Sequence, residues 1–500
     1  MPRRLLDVKN NVRESVAPRD SFPIVDTLTQ SISVPTLPAQ RIDAAGRAHV
    51  DQRAVLALAL PLMANSAVQI VLNLTDMWFI GRLSTQAIAA VGAVQWLCWA
   101  VVMVLGGAGQ AVQPIVAQAY GSRRYCRAGQ ALWTSMWASL CVAPLFVLAG
   151  AASGLILAPF GFDPGIQQLA SQFWWPRVAG ATFGAAVWAT FGFFNGIALP
   201  RVTLVITAVT TAANVVLNQL FIFNLGWGIA GSGWATTVAQ ALGLAIALAV
   251  FWREPYRSRY KSHLTWKPHG PRLWELMRIG FPIGVMPAAD ILGFSLFQMM
   301  QVRLGTAGGA ASQIVIVLTS VAYMGGYGIA CAGTTLVGQS IGAGDRNWAM
   351  RVGSRVILLS GLYMGGVGIL LALGGPWILP FFTESADAEA AAAVALGAQL
   401  LWLAAPYQFF DGLNIASTMT LRGAGDVKVP AALVLPLSWL VFVPLAHSFT
   451  FAPGQGWFGF LPQFGWGSVG GWVALNIYIV VLGSVLFIRW RSRAWQRIRI

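Results

Sequence analysis

Charged residues are scarce in this chain: they make up 10% of its 500 residues, whereas apolar residues make up 57%. A soluble domain carries about 25% charged residues, so the composition excludes an ordinary soluble protein and indicates a polytopic membrane protein. Cysteine and histidine are also scarce, with four of each. Their spacing fits no metal-binding or redox motif, so we expect neither a metal centre nor a thiol-redox site.

Several other functional signatures are missing. The glycine-rich pieces GGAGQ and GAGDR lack the lysine of a phosphate-binding loop and follow no predicted strand, so no ATP site is indicated. No nucleophile and base occur in a catalytic pattern, so we do not expect an enzyme. The net charge of +15 could suggest a nucleic-acid partner, but no nucleic-acid motif is present and the basic residues lie in short loops, so none is expected.

Long apolar runs dominate the chain instead. Each is long enough for a helix to cross a bilayer, and none shows the alternation of a membrane β-strand. The fold class predicted is therefore an all-α polytopic membrane protein with twelve transmembrane helices. We place these spans near residues 54–80, 87–119, 128–155, 166–195, 200–224, 228–252, 272–302, 308–340, 348–374, 388–420, 428–449 and 467–489.

The distribution of basic residues predicts the topology. Of the 32 Lys and Arg, all but Arg82, Arg177 and Arg303 fall on one side of the predicted membrane. Positive loops face the cytoplasm, so both termini are predicted to be cytoplasmic. We divide the chain into a disordered tail (1–50), an N-terminal six-helix lobe (51–252), a linker loop (253–271), a C-terminal six-helix lobe (272–490) and a basic tail (491–500).

The two halves are similar to each other, which predicts two pseudo-symmetric six-helix bundles. An internal repeat is typical of transporter folds, and an even number of spans per half makes the repeat parallel. Two such bundles leave a cleft between them. At an offset of 221 residues the matching pairs include Pro61 and Pro282, Gln118 and Gln339, and Gly121 and Gly342.

Three aspartates, Asp76, Asp290 and Asp411, lie inside predicted spans. A carboxylate in a span costs roughly 2.5–3.5 kcal/mol and is usually retained to bind an ion, a proton or a substrate. Transport is therefore the leading hypothesis, with a structural hydrogen bond between spans as the alternative for each aspartate. Asp76 could also pair with Arg82 near the outer surface.

Polar neighbours on the same helix face strengthen the hypothesis. Tyr407 and Asn414 flank Asp411 at helical spacing and together offer hard oxygen ligands suited to Na⁺. Gln298 lies two turns beyond Asp290 and is a further candidate. Arg177 could contact a substrate, or it could extend towards the outer surface beside Asp163.

The chain resembles the multidrug and toxic compound extrusion (MATE) transporters of the NorM branch over roughly residues 50–490. The resemblance rests on the order and spacing of LPLMANSAVQIVLNLTDMWFIGRLSTQAIAAVG, QPIVAQAYGSRR, FPIGVMPAADILGF, LVGQSIGAGDR and PYQFFDGLNIASTMTLRGAGD. It implies two lobes that alternate access to a central cavity, and export of organic cations and drugs in exchange for Na⁺ or H⁺. It also implies a bacterial inner-membrane location, a monomer and no cofactor apart from the coupling ion.

The same resemblance assigns cation or proton coupling to Asp76, Asp290 and Asp411, with Na⁺ expected at Asp290 and Asp411. Some relatives carry an Asn and an Asp four residues apart in the fifth span, where this chain has Asn214 and Asn218. An amide can coordinate a cation but cannot release a proton, which weakens the case for a proton site built on that span. A lipid-linked precursor flippase of a related fold is the alternative, although it would favour a cationic cavity.

Overall fold

The computed structural model of the protein describes residues 37–160, 163–382 and 388–498. Helices account for the first six predicted spans, and a short helix lies in the linker that follows them. In chain order these helices are α1 (Gln52–Gly81), α2 (Thr85–Gln110), α3 (Val112–Gly121), α4 (Tyr125–Ala151), α5 (Ser153–Leu157), α6 (Pro164–Ala179), α7 (Ala181–Gly196), α8 (Pro200–Asn218), α9 (Gly228–Trp252) and α10 (Tyr256–Tyr260), with a 3₁₀ turn at Ala158–Phe160 and a π-helical turn at Gln219–Asn224.

The second half repeats this arrangement. Its helices are α11 (Gly270–Arg303), α12 (Thr306–Gly342), α13 (Arg346–Ile378), α14 (Ala388–Gly423), α15 (Lys428–Pro436), α16 (Val443–Thr450) and α17 (Gly467–Arg491), with 3₁₀ turns at Leu379–Phe382 and Ala494–Arg497 and a π-helical turn at Leu437–Phe442.

The described residues contain eleven helices long and apolar enough to cross a membrane, and one bent pair that makes a twelfth span. The bent pair is α6 and α7, which meet at an angle of 43°. Gly180 stands at the bend, where a Cβ atom would lie 2.1 Å from Oγ1 of Thr237 on α9. Each predicted span overlaps one of these, so the prediction of an all-α membrane protein with twelve spans is confirmed.

Side-chain caps fix several of the helix starts that the sequence marks. Asp51, Ser84 and Asp345 each accept a hydrogen bond from a backbone N–H in the first turn of α1, α2 and α13. Such caps satisfy amide donors that would otherwise have no partner at the end of a helix. Each of these caps therefore stabilises the point at which its helix begins.

Each half has an apolar core of its own, and two further cores combine buried residues of both halves. One core consists only of buried residues between Phe297 and Trp495. One close approach between the halves joins α2 to α11, where a Cβ atom on Gly107 would lie 2.3 Å from the carbonyl oxygen of Gly280. A second contact joins α1 to α12 at Gly328, where an added Cβ atom would collide with Met63.

A short hairpin precedes the first span. Strands β1 (Gln40–Ile42) and β2 (Ala48–Val50) pair antiparallel. Trp348 of α13 donates its indole N–H to the carbonyl oxygen of Pro38 at 2.9 Å, which ties the hairpin to the second half. The prediction of a disordered tail over residues 1–50 is therefore wrong for residues 37–50, and its remainder lies outside the described residues.

One end of the molecule collects most of the arginines, and we call it the basic end. It comprises the hairpin, the loops at 122–124, 253–269, 343–345 and 424–427, the helix ends that flank these loops, and the chain after α17. Contacts hold these pieces together: Trp490 donates to Oγ of Ser354 at 3.1 Å, and Arg489 pairs with Asp426 at 2.9 Å.

Candidate functional site

Asp76 lies in a compact polar cluster within the N-terminal lobe. Asn218 donates its amide to one carboxylate oxygen of Asp76 at 2.6 Å and to Oδ1 of Asn214 at 3.1 Å. Thr236 of α9 donates to the other oxygen of Asp76 at 3.4 Å. Three predicted residues, Asp76, Asn214 and Asn218, are thus brought together from α1 and α8.

The cluster also contains an acceptor with no partner. Asn214 and Asn218 are fully buried, and Oδ1 of Asn218 forms no hydrogen bond within the described chain. A buried oxygen without a donor is costly. The carboxylate oxygens of Asp76 lie beside this amide oxygen. Together they provide the oxygen ligands that a small cation such as Na⁺ prefers.

Arg177 faces a cavity next to this cluster instead of extending towards Asp163. It lines a space of about 80 Å³ together with Thr236 and lies over the ring of Trp99 at 5.9 Å. Its charge interacts with that of Asp76. Asp163 instead caps the start of α6 by accepting from the backbone N–H of Gly165.

Asp290 anchors a second polar cluster, in the C-terminal lobe. Tyr478 of α17 donates its hydroxyl to Oδ1 of Asp290 at 2.7 Å, and Ser438 donates to the same oxygen at 3.4 Å. Ser438 is part of the π-helical turn of the eleventh span, and the corresponding turn of the fifth span begins immediately after Asn218. Single π-helical turns are frequent at functional sites, and here one adjoins each cluster.

Asp411 belongs to the same lobe and is nearly buried, with 4% of its surface exposed. Its Oδ1 accepts a hydrogen bond from the amide of Asn414 at 3.2 Å, as the helical spacing predicts. The hydroxyl of Tyr407 forms no hydrogen bond within the described residues with Asp411 or Asp290, whose partners include Asn414 and Tyr478. Gln298, in contrast, donates to Gln313 at 3.1 Å and so turns away from Asp290.

No basic side chain forms an ion pair with Asp76, Asp290 or Asp411 in the part of the chain that the structure describes. Arg82, the sequence candidate for pairing with Asp76, lies instead over the ring of Trp78 at 4.6 Å. Three carboxylates inside spans thus have hydrogen-bond donors but no ion-pair partner among the described residues. Such groups leave room for an exchangeable cation.

Thr236, Ser438 and Tyr478 complete the clusters, and sequence reasoning missed them. Each lies on a different helix from the aspartate it contacts. Spacing along one helix reveals partners on that helix only, and threonine, serine and tyrosine are common in spans for other reasons. The only signal in the sequence is that each is a polar residue within an apolar run.

Polar contacts between the lobes close the molecule towards the basic end. Gln118 donates to the carbonyl oxygen of Gly423 at 3.0 Å, and Gln339 donates to that of Gly196 at 2.9 Å. Nearer the middle, Gln113 donates to Oγ1 of Thr335 at 3.1 Å. The predicted repeat pair Gln118 and Gln339 therefore makes the same kind of contact from each side.

Arg422 adds a charged contact across the same interface. Its guanidinium donates to the backbone oxygen of Gln110 and, at 3.3 Å, to the side-chain oxygen of that residue. Arg422 is buried, and its Nε has no partner within the described residues. It joins α14 to the end of α2.

Comparison with known proteins agrees with this architecture. The solved structure of a MATE transporter in its straight conformation superposes with a TM-score of 0.77 and 19% identity, covering 89% of this chain and 96% of that one. The outward-facing structure of a MATE transporter of the MOP superfamily gives a TM-score of 0.75 and 18% identity with the same coverage. At this identity the likeness concerns the fold.

Sequence relatives cover almost the whole chain. A probable multidrug resistance protein NorM of Mesorhizobium japonicum is 29% identical over 471 residues, which is 90% of this chain and 97% of that protein. A protein of the same name from Thermotoga maritima is 23% identical over 456 residues, which is 89% of this chain and 93% of that protein.

The MatE family model matches residues 61–220 and 282–447, so it covers most of both lobes. The two matches begin 221 residues apart, which is the offset of the repeat found in the sequence. The chain therefore belongs to the MatE family of multi-pass membrane transporters.

Proposed function

We propose that this protein is a secondary active multidrug efflux antiporter that exports organic cations and drugs in exchange for Na⁺ or H⁺. The observation that carries the proposal is the set of three carboxylates in spans, Asp76, Asp290 and Asp411, none paired with a basic side chain in the described chain. Relatives named as probable multidrug resistance proteins support the substrate class.

The carboxylates supply the exchange chemistry. In a cleft of low dielectric constant an unpaired carboxylate is costly, so it holds a proton, a Na⁺ ion or a cationic drug. Because the same negative charge attracts each of these cations, binding of one opposes binding of another. A site that holds one at a time and opens to alternate sides couples the inward movement of the ion to the outward movement of the drug.

The arrangement of the lobes suits one half of this cycle. The basic end faces the cytoplasm in this proposal, as the excess of Lys and Arg there indicates. Gln118, Gln339 and Arg422 hold the lobes together at that end. The described conformation is then closed to the cytoplasm, and loading of the coupling ion from outside would precede its opening inwards.

Ion gradients of ordinary size can drive this exchange. One charge that crosses 100 mV releases about 2.3 kcal/mol, and a tenfold ion gradient adds about 1.4 kcal/mol. The sum would sustain a several-hundredfold gradient of a neutral drug. Exchange of a monovalent cationic drug for one ion would cancel the voltage contribution and leave only the ion gradient.

The test is efflux of a fluorescent cationic dye from energised cells that express the wild type or Asp411→Asn at matched levels. We expect the variant to lose coupled export while its membrane insertion is unchanged. Asp163→Asn is the matched control, because asparagine caps a helix as well as aspartate does. Efflux measured with and without added Na⁺ identifies the coupling ion.

Unchanged efflux in both Asp411→Asn and Asp290→Asn would refute the role of these carboxylates. If the wild type exports no cationic dye under any gradient, the substrate class is wrong. The alternative is then a lipid-linked precursor flippase, for which Arg177 in the N-terminal cavity supplies a cation for an anionic headgroup. Complementation of a flippase-deficient strain tests that alternative directly.

A further inference from the structure

An open pocket lies at the basic end, away from the clusters described above. It forms where the β1–β2 hairpin meets the start of α13 and the end of α17, and its volume is about 800 Å³. Its lining is strongly cationic, with five arginines and a histidine: Arg47, His49, Arg351, Arg355, Arg491 and Arg493.

The positive charge of this pocket is largely uncompensated. Asp43 of the hairpin contacts Arg47 at 3.2 Å and His49 at 3.0 Å. The other four arginines form no ion pair with any described residue. The nearby carboxylate of Asp426 is already held by Arg489 at 2.9 Å.

The pocket is built on ordered contacts. Trp490 donates its indole N–H to Oγ of Ser354, which lies between Arg351 and Arg355 along α13. The ring of Trp490 also stacks on that of Trp495, with the ring centroids 4.6 Å apart. The indole of Trp348, also on α13, donates to the carbonyl oxygen of Pro38 and holds the hairpin against this helix. The arginines therefore converge from three segments that are fixed to one another.

An apolar surface leads away from the arginines along the membrane spans. Leu358 and Leu362 follow Arg351 and Arg355 on the same face of α13 and are 45% and 58% exposed. On α17, Ile488 lies one turn before Arg491 and is 63% exposed. A cationic pocket with apolar walls directed into the bilayer matches a molecule with an anionic head and acyl chains.

We propose that this pocket binds the phosphate-bearing headgroup of an anionic phospholipid. Guanidinium groups bind phosphate oxygens through pairs of hydrogen bonds, and clusters of arginine beside a span are typical of sites for anionic lipids. A free phosphate could bind the arginines in the same way, but it would leave the exposed Leu358, Leu362 and Ile488 without a contact. A phospholipid would contact both surfaces, with its headgroup on the arginines and its acyl chains on the apolar residues.

The repeat shows that the fold itself does not require these arginines. At the offset of 221 residues, Arg351 and Arg355 correspond to Gln130 and Thr134 at the start of α4. The equivalent helix of the other half thus begins without the pair. The pocket is formed by the C-terminal lobe together with the hairpin that packs on it.

The test compares lipid retention by the purified full chain in nanodiscs of phosphatidylcholine with and without phosphatidylglycerol, measured by native mass spectrometry. The wild type should retain phosphatidylglycerol in preference to phosphatidylcholine. Each neutralised arginine near a membrane surface should weaken binding roughly fivefold, so Arg351→Gln with Arg355→Gln should weaken it about 25-fold. The control is Arg201→Gln with Arg257→Gln, two exposed arginines outside the pocket.

Equal retention by all three proteins would overturn the proposal, because binding would then reflect overall charge. Complete displacement of phosphatidylglycerol by inorganic phosphate would also overturn it, because the site would then belong to a soluble anion. Thermal midpoints in phosphatidylcholine alone establish that the variants fold. If the variant with Arg351→Gln and Arg355→Gln does not fold, Arg491→Gln with Arg493→Gln removes charge from the other side of the same pocket. This second pair should weaken phosphatidylglycerol binding by the same factor.

Discussion

At the scale of single residues, two tyrosines of the C-terminal lobe separate what the sequence suggests from what the structure shows. Tyr478 donates a hydrogen bond to Asp290, whereas Tyr407 forms no hydrogen bond with either carboxylate in the described part of the chain. A hydrogen bond to a charged group contributes about 1.5–3 kcal/mol. We therefore expect Tyr478→Phe to reduce dye efflux at a fixed ion gradient by roughly tenfold or more.

Tyr407→Phe is the matched control for that experiment, since it removes the same atom from the same lobe. It should reduce efflux by less than threefold, on the order of 0.5 kcal/mol. A larger loss in Tyr407→Phe than in Tyr478→Phe would show that Tyr407, as the helical spacing suggested, is the functional partner.

The residues also show why part of the site is predictable. Asp76, Asp290 and Asp411 can be found because an acidic residue inside an apolar run is conspicuous whatever the fold. Asn414 can be found because it shares a helix face with Asp411. Tyr478 cannot, since its contact with Asp290 joins residues 188 positions apart and depends on how α11 and α17 pack.

At the scale of secondary-structure elements, the contact between α2 and α11 depends on glycine. A Cβ atom on Gly107 would meet the backbone oxygen of Gly280 at 2.3 Å, and backbone cannot turn aside as a side chain can. We expect Gly107→Ala to force the two helices apart and to destabilise the described conformation by about 1–3 kcal/mol. A lower thermal midpoint of the purified protein would show this.

Gly92→Ala is the control on the same helix. Nothing lies within 4 Å of a Cβ atom at Gly92, so alanine there should be neutral or should stabilise the helix by up to about 1 kcal/mol. Equal midpoints for the two variants would contradict the importance of the close approach.

The hairpin gives a prediction about pH. The pKa of Asp43 is lowered from its ordinary value of 3.8, first because the backbone N–H of Arg47 donates to its carboxylate and also through His49 and the Arg47 side chain. A carboxylate with a lowered pKa stabilises the folded form above its ordinary pKa and loses that contribution as the pH falls. Hydrogen exchange of residues 40–50 should therefore be faster, relative to the intrinsic rate, below about pH 4 than at neutral pH.

Asp43→Ala should show the faster exchange already at neutral pH and should remove its dependence on acid. Protection of β1 and β2 that is identical in the variant and the wild type would show that the anchor at Trp348 alone holds the hairpin. Either result leaves the spans unaffected, since Asp43 lies outside them.

The elements differ in how well the sequence predicts them. The spans follow from length and hydropathy because the bilayer imposes both. The hairpin was missed because strands of three residues among prolines and charges carry almost no periodic signal. The π-helical turns beside Asn218 and at Ser438 were missed because one extra residue in a turn does not disturb the apolar composition of a span.

At the scale of the whole molecule, Arg422 and Cys331 together report on opening at the basic end. Cys331 is 9% exposed, and its carbonyl oxygen accepts from Gln113 across the interface. Arg422→Met removes the charged contact with Gln110, so the lobes should part more often. We expect a soluble maleimide applied from the basic end to label Cys331 about tenfold faster in this variant, in a background with Cys98→Ala, Cys126→Ser and Cys141→Ala.

Lys428→Met serves as the control, because that residue lies at the same end and starts the next span without a described contact to the other lobe. Labelling at the wild-type rate in Arg422→Met would show that the interface opens independently of this arginine. Faster labelling in both variants would point to a general loosening of the basic end.

The glutamines at the lobe interface affect the free-energy difference between the conformation that is closed at the basic end and one that is open there. Gln113, Gln118 and Gln339 are neutral and donate to carbonyl or hydroxyl oxygens, so water can replace each bond when the interface becomes wet. A neutral hydrogen bond exchanged for bonds to water changes the free energy by only about 1 kcal/mol. A latch of ion pairs would trap one conformation, whereas a latch of neutral hydrogen bonds could be opened by the few kcal/mol that one coupling ion would supply in the proposed exchange.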